Sequence, residues 1–350
     1  MTQKNTGCLW MVAGILAGIA ICLALIFAFA FFLVGSASVK AVNIKETAPK
    51  FEEGILADAK TDKDAKASGA KIAVIYLRGV ISSSEAGTVG ETMVDDLKIQ
   101  LRQAALDEKV KAVVLYVDSP GGEVTASDSI YNSVRKVRDG GFGPSTKKPV
   151  VVYMGSMAAS GGYYVSCGGT YLMANETTLT GSIGVIMETL NYQQLFGKVG
   201  LETITFKSGA FKDMLSGARE MTPEEKDYVQ KMVMETYGKF VGIVAHERKL
   251  KEDDLRKGLA DGRVISGKEA RDAKLIDGLG EVEDAYAKAM ALGNAPNATV
   301  IRYESPFKFG RILKLLGQTE TSRAEVNVVK SLMPKLEAGR LYFLPGFYAP

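Results

Sequence analysis

The sequence predicts an α/β domain built on a largely parallel β-sheet. Three short apolar runs separated by helix-like segments indicate this class: Ile72–Leu77, Ala112–Val117 and Pro149–Met154. Each run is apolar at nearly every position instead of alternating, so both of its faces are expected to be covered. Strands of this kind are typical of parallel sheets, whose crossover helices pack against both sides.

Two helices are predicted between these strands, and a longer one after them. The first has an apolar stripe at a spacing of four residues, formed by Val89, Met93, Leu97, Leu101 and Ala105. The second has its apolar positions at Ile130, Val134 and Val137. The longest helix is predicted to begin at Thr222, because Thr222 can cap it, Pro223 suits its first turn and Glu225 completes a capping box.

The two ends of the chain differ in composition from the predicted domain, which covers residues 70–295. Residues 1–39 are predicted to be an N-terminal transmembrane anchor, because Leu9–Val34 is almost wholly apolar and exceeds the roughly 20 residues needed to cross a bilayer. A cleaved signal peptide is the alternative, although its apolar part is usually shorter. Residues 40–69 are charged and are predicted to form a stalk. Residues 296–350 are a C-terminal extension, amphipathic in part.

Composition excludes several classes of function. The chain has 43 Lys and Arg against 40 Asp and Glu, which is not the strongly basic balance of a nucleic-acid-binding protein. Its single histidine, His246, lies in a charged helical stretch and is predicted to be a surface residue. A hydrolase with this sequence therefore needs a base other than histidine. No metal or other cofactor is predicted.

Two glycine-rich turns follow predicted strands, where ligands bind in open α/β sheets. In Asp118–Gly122, two glycines leave backbone N–H groups free to face a crevice, where they could hold an oxyanion or a phosphate. In Met157–Tyr164, Ser160 enters a helix after a buried strand, the setting of an exposed nucleophile, with the Gly161 amide beside it. The structural alternatives are a tight turn for the first motif and a helix cap for Ser160.

Lysine can replace histidine as a general base when its ammonium group is desolvated. Lys207 and Lys212 both lie in the segment that precedes the long helix. Lysines in loops are normally solvated, and the residues alone do not decide between these two.

Taken together, these segments resemble the signal peptide peptidase A family, membrane-anchored serine peptidases related to the Clp protease and crotonase folds. The likeness covers roughly residues 70–290 and corresponds to the short form with one catalytic unit per chain. The motifs that carry it are Asp118–Gly122, Ala159–Tyr164, Thr180–Val185, Ser208–Asp213, and Asp261–Val264 followed by Gly278–Gly280. The resemblance implies a Clp protease/crotonase-like domain behind an N-terminal transmembrane helix.

The same resemblance implies a role for each matching residue. Ser160 corresponds to the nucleophile of a Ser–Lys dyad, Lys212 to its general base and Ser182 to the hydroxyl that orients the lysine. Gly122 and Gly161 correspond to the donors of the oxyanion hole. Lys207 is the reserve base.

The family further implies a homo-oligomeric ring, of eight subunits in the short form, in which adjacent chains can complete an active site. It implies a single-pass protein of the cell membrane, with an extracytoplasmic catalytic domain that degrades remnant signal peptides and other short apolar peptides. Two alternatives stay open on this fold: a crotonase-like acyl-CoA enzyme and a catalytically inactive membrane scaffold. The apolar segment Leu341–Pro345 is a candidate to occupy a peptide groove.

Overall fold

One mixed β-sheet contains nine of the strands in the described part of the chain. The computed structural model describes residues 50–57, 69–143, 145–306 and 340–345. The predicted membrane anchor, most of the predicted stalk and the amphipathic part of the extension lie outside these residues.

The strands and helices follow one another along the chain in alternating groups. The strands are β1 (Glu52–Ala57), β2 (Lys71–Arg78), β3 (Val110–Ser119), β4 (Gly122–Glu123), β5 (Val150–Ala159), β6 (Tyr171–Ala174), β7 (Leu179–Gly181), β8 (Val264–Ser266), β9 (Gly278–Leu279), β10 (Thr299–Glu304) and β11 (Tyr342–Phe343). The helices are α1 (Met93–Leu106), α2 (Val124–Asp139), α3 (Gly161–Ser166), α4 (Gln193–Lys198), α5 (Pro223–Arg248), α6 (Glu252–Lys257), α7 (Gly267–Asp272) and α8 (Val282–Leu292), with a 3₁₀ turn at Ala210–Asp213.

The sheet has the strand order β1-β10-β2-β3-β5-β6-β9. Strands β2, β3, β5 and β6 are parallel neighbours, which confirms the predicted α/β class. The last residues of β5 pair in parallel with β7, which in turn pairs antiparallel with β8. The carboxyl ends of β3, β5 and β7 therefore lie side by side at one edge, where α/β folds bind ligands.

Side chains of the central strands alternate between two apolar layers. From β2, Ala73, Ile75 and Leu77 pack in the layer that includes α1, α2 and α5, whereas Ile72 and Val74 pack in the layer that includes α8. All five are fully buried. Burial of a large apolar side chain is worth about 1.5–3 kcal/mol, so these strands form a rigid base for the turns at their ends.

The sheet extends past both predicted boundaries of the domain. Strand β1, inside the range predicted as a stalk, pairs antiparallel with β10, which lies in the range predicted as an extension. The side-chain amide of Gln103 on α1 also hydrogen bonds both backbone groups of Phe51, at 3.0 Å each. Charged Glu52 and Glu53 are tolerated because β1 is a half-exposed edge strand, and the same charges make the segment resemble a stalk in sequence.

Helix α5 begins as the sequence predicts. The Thr222 hydroxyl accepts from the Glu225 N–H at 3.2 Å, and the Glu225 carboxylate accepts from the Thr222 N–H at 2.9 Å. Both halves of the capping box are therefore formed. Near the other end of the helix, the His246 side chain is 77% exposed, which confirms the prediction of a surface histidine.

No helix within residues 50–57, 69–143, 145–306 and 340–345 has the length and hydropathy needed to cross a membrane.

Candidate active site

Ser160 occupies a strained turn between β5 and α3. Its φ of 50° and ψ of −113° are unusual for a residue with a side chain. Hydrogen bonds of 2.8 Å fix both of its backbone groups: its N–H donates to the Gly181 carbonyl, and its carbonyl accepts from the Tyr164 N–H. Ser160 is the N-cap residue of α3, as the structural alternative expects, but its side chain makes no capping hydrogen bond. The turn presents Ser160 as a nucleophile elbow does.

The Ser160 hydroxyl is a buried polar group with no partner. The residue is 1% exposed, and its Oγ has no hydrogen bond within the described part of the chain. An unmade hydrogen bond of this kind costs about 1–3 kcal/mol. Such a cost at a strained turn is typical of a group held ready for a reaction partner.

The glycine-rich turn after β3 packs directly against the serine turn. Gly121 has a φ of 105°, and a side chain there would collide with the backbone nitrogen of Gly161. A Cβ on Gly161 would in turn lie 3.1 Å from the Gly122 nitrogen. The Gly121 N–H donates to the Ser119 Oγ at 3.1 Å. The predicted oxyanion donors, Gly122 and Gly161, therefore lie close together beside Ser160.

Ser182 lies next to Ser160 across the sheet. The parallel register of β5 and β7 pairs Ala159 with Gly181, so the two serines follow the paired residues on adjacent strands. Ser182 also has a φ of 50° and is 2% exposed. Its N–H donates to the Arg263 carbonyl at 2.7 Å, which fixes its backbone.

The Lys212 side chain makes no hydrogen bond to Ser160 of the same chain. It lies in the 3₁₀ turn Ala210–Asp213, is exposed, and makes no ion pair in the described residues. Because the Ser160 Oγ has no hydrogen-bond partner there, Lys212 Nζ does not contact it. The segment that carries Lys212 also exposes many large apolar side chains: Leu190, Leu195, Val199, Leu201, Ile204, Phe206 and Phe211.

Lys207 is already engaged as a cation. Its Nζ lies 2.7 Å from Asp213 Oδ1, and Arg219 binds the same carboxylate at 2.6 Å. Hydrogen bonds from Arg219 and then from Lys207 hold the pKa of Asp213 well below its usual range. This ion pair holds Lys207 Nζ against Asp213, whereas Lys212 makes no ion pair in the described residues.

Lys148 is the one buried lysine in the described residues, and it lies away from the serine turn. Burial lowers its pKa to about 8, and its Nζ donates to the Ala104 carbonyl at 2.6 Å and to the Asp107 carbonyl. Lys148 lies two residues before β5, whereas Ser160 directly follows it, and a ten-residue strand spans about 33 Å. Burial of a lysine therefore does not by itself identify the general base. Sequence composition does not identify the base either.

The substitution Lys148→Met is expected to flatten the pH dependence of stability. The pKa of about 8 in the folded chain is below the ordinary value of about 10.4 expected for the unfolded chain. Between these values the unfolded chain binds more protons, so the free energy of unfolding rises with pH, by up to about 3 kcal/mol. Urea unfolding at a series of pH values measures this rise.

The exposed neighbour provides the control for that experiment. Lys147→Met removes a solvated lysine and should keep the full rise of the wild type. If Lys148→Met shows the same rise as Lys147→Met, Lys148 is not the desolvated group.

A segment near the C-terminus lies in a groove beside the glycine-rich turn. Strand β11 pairs antiparallel with β4, with Phe343 opposite Gly122 and Tyr342 opposite Glu123. On its other side, Tyr342 exchanges two backbone hydrogen bonds of 3.0 Å with Ile186. The groove therefore holds an extended peptide segment through backbone hydrogen bonds on both sides.

The side chain of Phe343 fills an aromatic pocket. Its ring lies 4.9 Å from the ring of Tyr164 and 4.8 Å from that of Phe240, and the residue is fully buried. This pocket was not predictable from local sequence, because Phe240 reaches it from α5, far along the chain. Glu123, which lines the groove after Gly122, was also missed, since no motif marks its side chain.

Comparisons with known proteins find similar chains among peptidases. Residues 144–295 match the family model Peptidase family S49, and residues 76–179 match the model Clp protease. A protein named as a candidate protease in Methanocaldococcus jannaschii is 42% identical over 197 residues, which are 56% of this chain and 61% of that protein. A candidate signal peptide peptidase SppA of Enterococcus faecium is 36% identical over 242 residues, 68% of each chain. Protease 4 of Salmonella typhi is 38% identical over 225 residues, 64% of this chain and 35% of the relative.

Proposed function

The chain belongs to peptidase family S49, a family of serine peptidases, and from this membership we propose that it hydrolyses peptide bonds with Ser160 as the nucleophile. The observation that carries the proposal is the buried Ser160 hydroxyl, which has no hydrogen-bond partner among the described residues and lies on a strained turn beside Gly122 and Gly161. A nucleophile next to backbone N–H donors is the arrangement that acyl transfer requires.

In the proposed mechanism, Ser160 Oγ attacks the carbonyl carbon of the peptide while its proton passes to the neutral amine of Lys212. The N–H groups of Gly122 and Gly161 stabilise the oxyanion that forms. The C–N bond then breaks, and the amine product leaves with the proton from Lys212. Water next attacks the acyl ester and gives up a proton to Lys212. The ester C–O bond then breaks, Lys212 returns the proton to Ser160 Oγ, and the acid product leaves. Ser182 orients the lysine.

We propose that Lys212 acts on Ser160 of an adjacent subunit in a homo-oligomeric ring. Two observations support this assignment: the Ser160 hydroxyl has no hydrogen-bond partner in the part of the chain that the structure describes, and Lys212 lies on a segment with exposed apolar side chains. Burying those side chains against a neighbour would stabilise an assembly. Removing water from the ammonium group of Lys212 favours the neutral amine that a base requires.

The proposed substrates are remnant signal peptides and other short apolar peptides. The groove beside Gly122 already accepts an extended segment of this type, with Phe343 in an aromatic pocket. In the proposal, residues 1–39 anchor the chain in the cell membrane once, and the catalytic domain lies on the extracytoplasmic side, close to such substrates.

A fluorophosphonate probe tests the proposed activity on the full chain. We expect covalent labelling that mass spectrometry maps to Ser160, together with hydrolysis of fluorogenic apolar peptides. Absence of both labelling and hydrolysis would overturn the peptidase proposal and favour an inactive scaffold. Turnover of an acyl-CoA thioester without peptide hydrolysis would favour the crotonase-like alternative.

A further inference from the structure

Arg340 binds a buried carboxylate next to the oxyanion turn. Its guanidinium Nη1 donates to Glu123 Oε1 at 2.9 Å. Glu123 directly follows Gly122 and pairs with Tyr342 in the β4–β11 ladder. The segment from Arg340 to Phe343 is therefore held at both ends, by a charged contact at Glu123 and by the aromatic pocket around Phe343.

Two serines of the groove hold the Glu123 carboxylate in addition to Arg340. Its side chain is only 10% exposed. The hydroxyl of Ser82 donates to Oε1 at 3.0 Å, and that of Ser83 donates to Oε2. Burial acts to raise the pKa of Glu123, but the hydrogen bonds from Ser83 and Ser82 and the charge of Arg340 outweigh it, so the pKa is lowered. The groove thus presents a negative charge in a fixed position.

The pairing register relates this charge to the oxyanion turn. Phe343 lies opposite Gly122, and a side chain on Gly121 would collide with the Phe343 carbonyl oxygen as well as with the Gly161 nitrogen. The Phe343 carbonyl oxygen therefore lies beside the Gly121–Gly122 turn and near the Gly161 nitrogen, and we take Phe343 to mark the position of the residue before the bond to be cut. In that register, Arg340 stands three residues before the residue whose carbonyl is attacked.

We propose that Glu123 is a specificity-determining residue that selects peptides with an arginine or lysine three residues before an aromatic residue at the cleaved bond. The inference rests on the proposed peptidase function and deepens it, with the chain's own Arg340–Phe343 as the guide to the preferred ligand. A cation satisfies the partly desolvated carboxylate, whereas a neutral residue leaves it without its charged partner.

The test uses the full-length protein and two fluorogenic peptides that end their acyl side in a common aromatic residue. One peptide has arginine three residues before it, and the other has glutamine. We expect the wild type to prefer the arginine peptide by about tenfold in kcat/KM, the effect of one charge-assisted hydrogen bond at a partly exposed site. The chain's own C-terminal segment competes equally with both peptides, so it does not change this ratio.

Two substitutions at Glu123 distinguish a role in peptide specificity from a general loss of activity. Glu123→Gln should remove the preference, so that the ratio of kcat/KM between the arginine and the glutamine peptide falls to about one. Glu123→Lys should favour a third peptide with glutamate at that position. Glu283→Gln, exposed on α8, should keep the wild-type preference. Helix α8 packs on β2 and β3 through the other apolar layer. Glu283→Gln therefore makes the same chemical change away from the groove, which makes this variant a matched control.

The outcomes distinguish the two proposals. A wild type that hydrolyses both peptides at equal kcat/KM, or a Glu123→Gln variant that retains the tenfold preference, overturns the role of Glu123 but not the peptidase. A protein that neither cuts any peptide nor reacts with the fluorophosphonate probe overturns the peptidase proposal itself. A preference that disappears in Glu123→Gln and moves to glutamate in Glu123→Lys supports the specificity proposal.

Discussion

Ser160→Ala is expected to lower kcat/KM for peptide hydrolysis by at least about a thousandfold and to abolish labelling by the fluorophosphonate probe. The hydroxyl is the only group removed, and no acyl ester forms without it. Since Ser160 Oγ makes no hydrogen bond in the described chain, its loss breaks no structural contact. Initial rates with a fluorogenic apolar peptide measure the effect.

A control and a stability measurement complete this experiment. Ser145→Ala, at an exposed serine near the start of β5, should retain the wild-type rate. Thermal unfolding of Ser160→Ala should occur at the wild-type temperature or a few degrees above it, because the backbone hydrogen bonds at the turn remain and a buried hydroxyl without a partner is removed. Hydrolysis by Ser160→Ala at the wild-type rate would show that another residue is the nucleophile.

The parts of the site that local sequence determines were predictable. Apolar runs located β2, β3 and β5, and parallel strands place their carboxyl ends at one edge of a sheet. The turns at Gly121 and Ser160 therefore had to be neighbours. The capping box at Thr222 likewise depends on residues three apart, and it formed as predicted.

Other features depend on contacts between distant segments, which a pattern of residues does not encode. Burial of Lys148 arises because the end of α1 covers it. The aromatic pocket joins Tyr164, Phe240 and Phe343 from three separate parts of the chain. Strand β1 has the charge of a linker and is fixed by β10, far along the sequence. Such features need the fold as well as the sequence.

The general base is not identified by the residue pattern of the sequence or by the structure of a single chain. Lys212 and Lys207 are equally plausible loop lysines in the sequence, and only the family resemblance favoured Lys212. The structure adds that Lys207 is paired with Asp213, whereas Lys212 is exposed without an ion pair in the described residues. In the proposed ring, a second copy of the chain brings its Lys212 to Ser160.

Lys212→Ala is expected to reduce hydrolysis to nearly the level of Ser160→Ala, because no other base then accepts the Ser160 proton. Lys257→Ala, at an exposed lysine of α6, should leave the rate unchanged. If Lys212→Ala keeps the wild-type rate and Lys207→Ala does not, Lys207 is the base.

Co-expression of the two inactive variants decides whether the dyad forms between subunits. In a ring where Lys212 of each chain serves Ser160 of the next, a random equal mixture of Ser160→Ala and Lys212→Ala chains joins an intact serine to an intact lysine at about a quarter of its sites. Activity of about a quarter of the wild type is therefore expected. A dyad formed within one chain predicts no activity at all, because every chain lacks one of its two members.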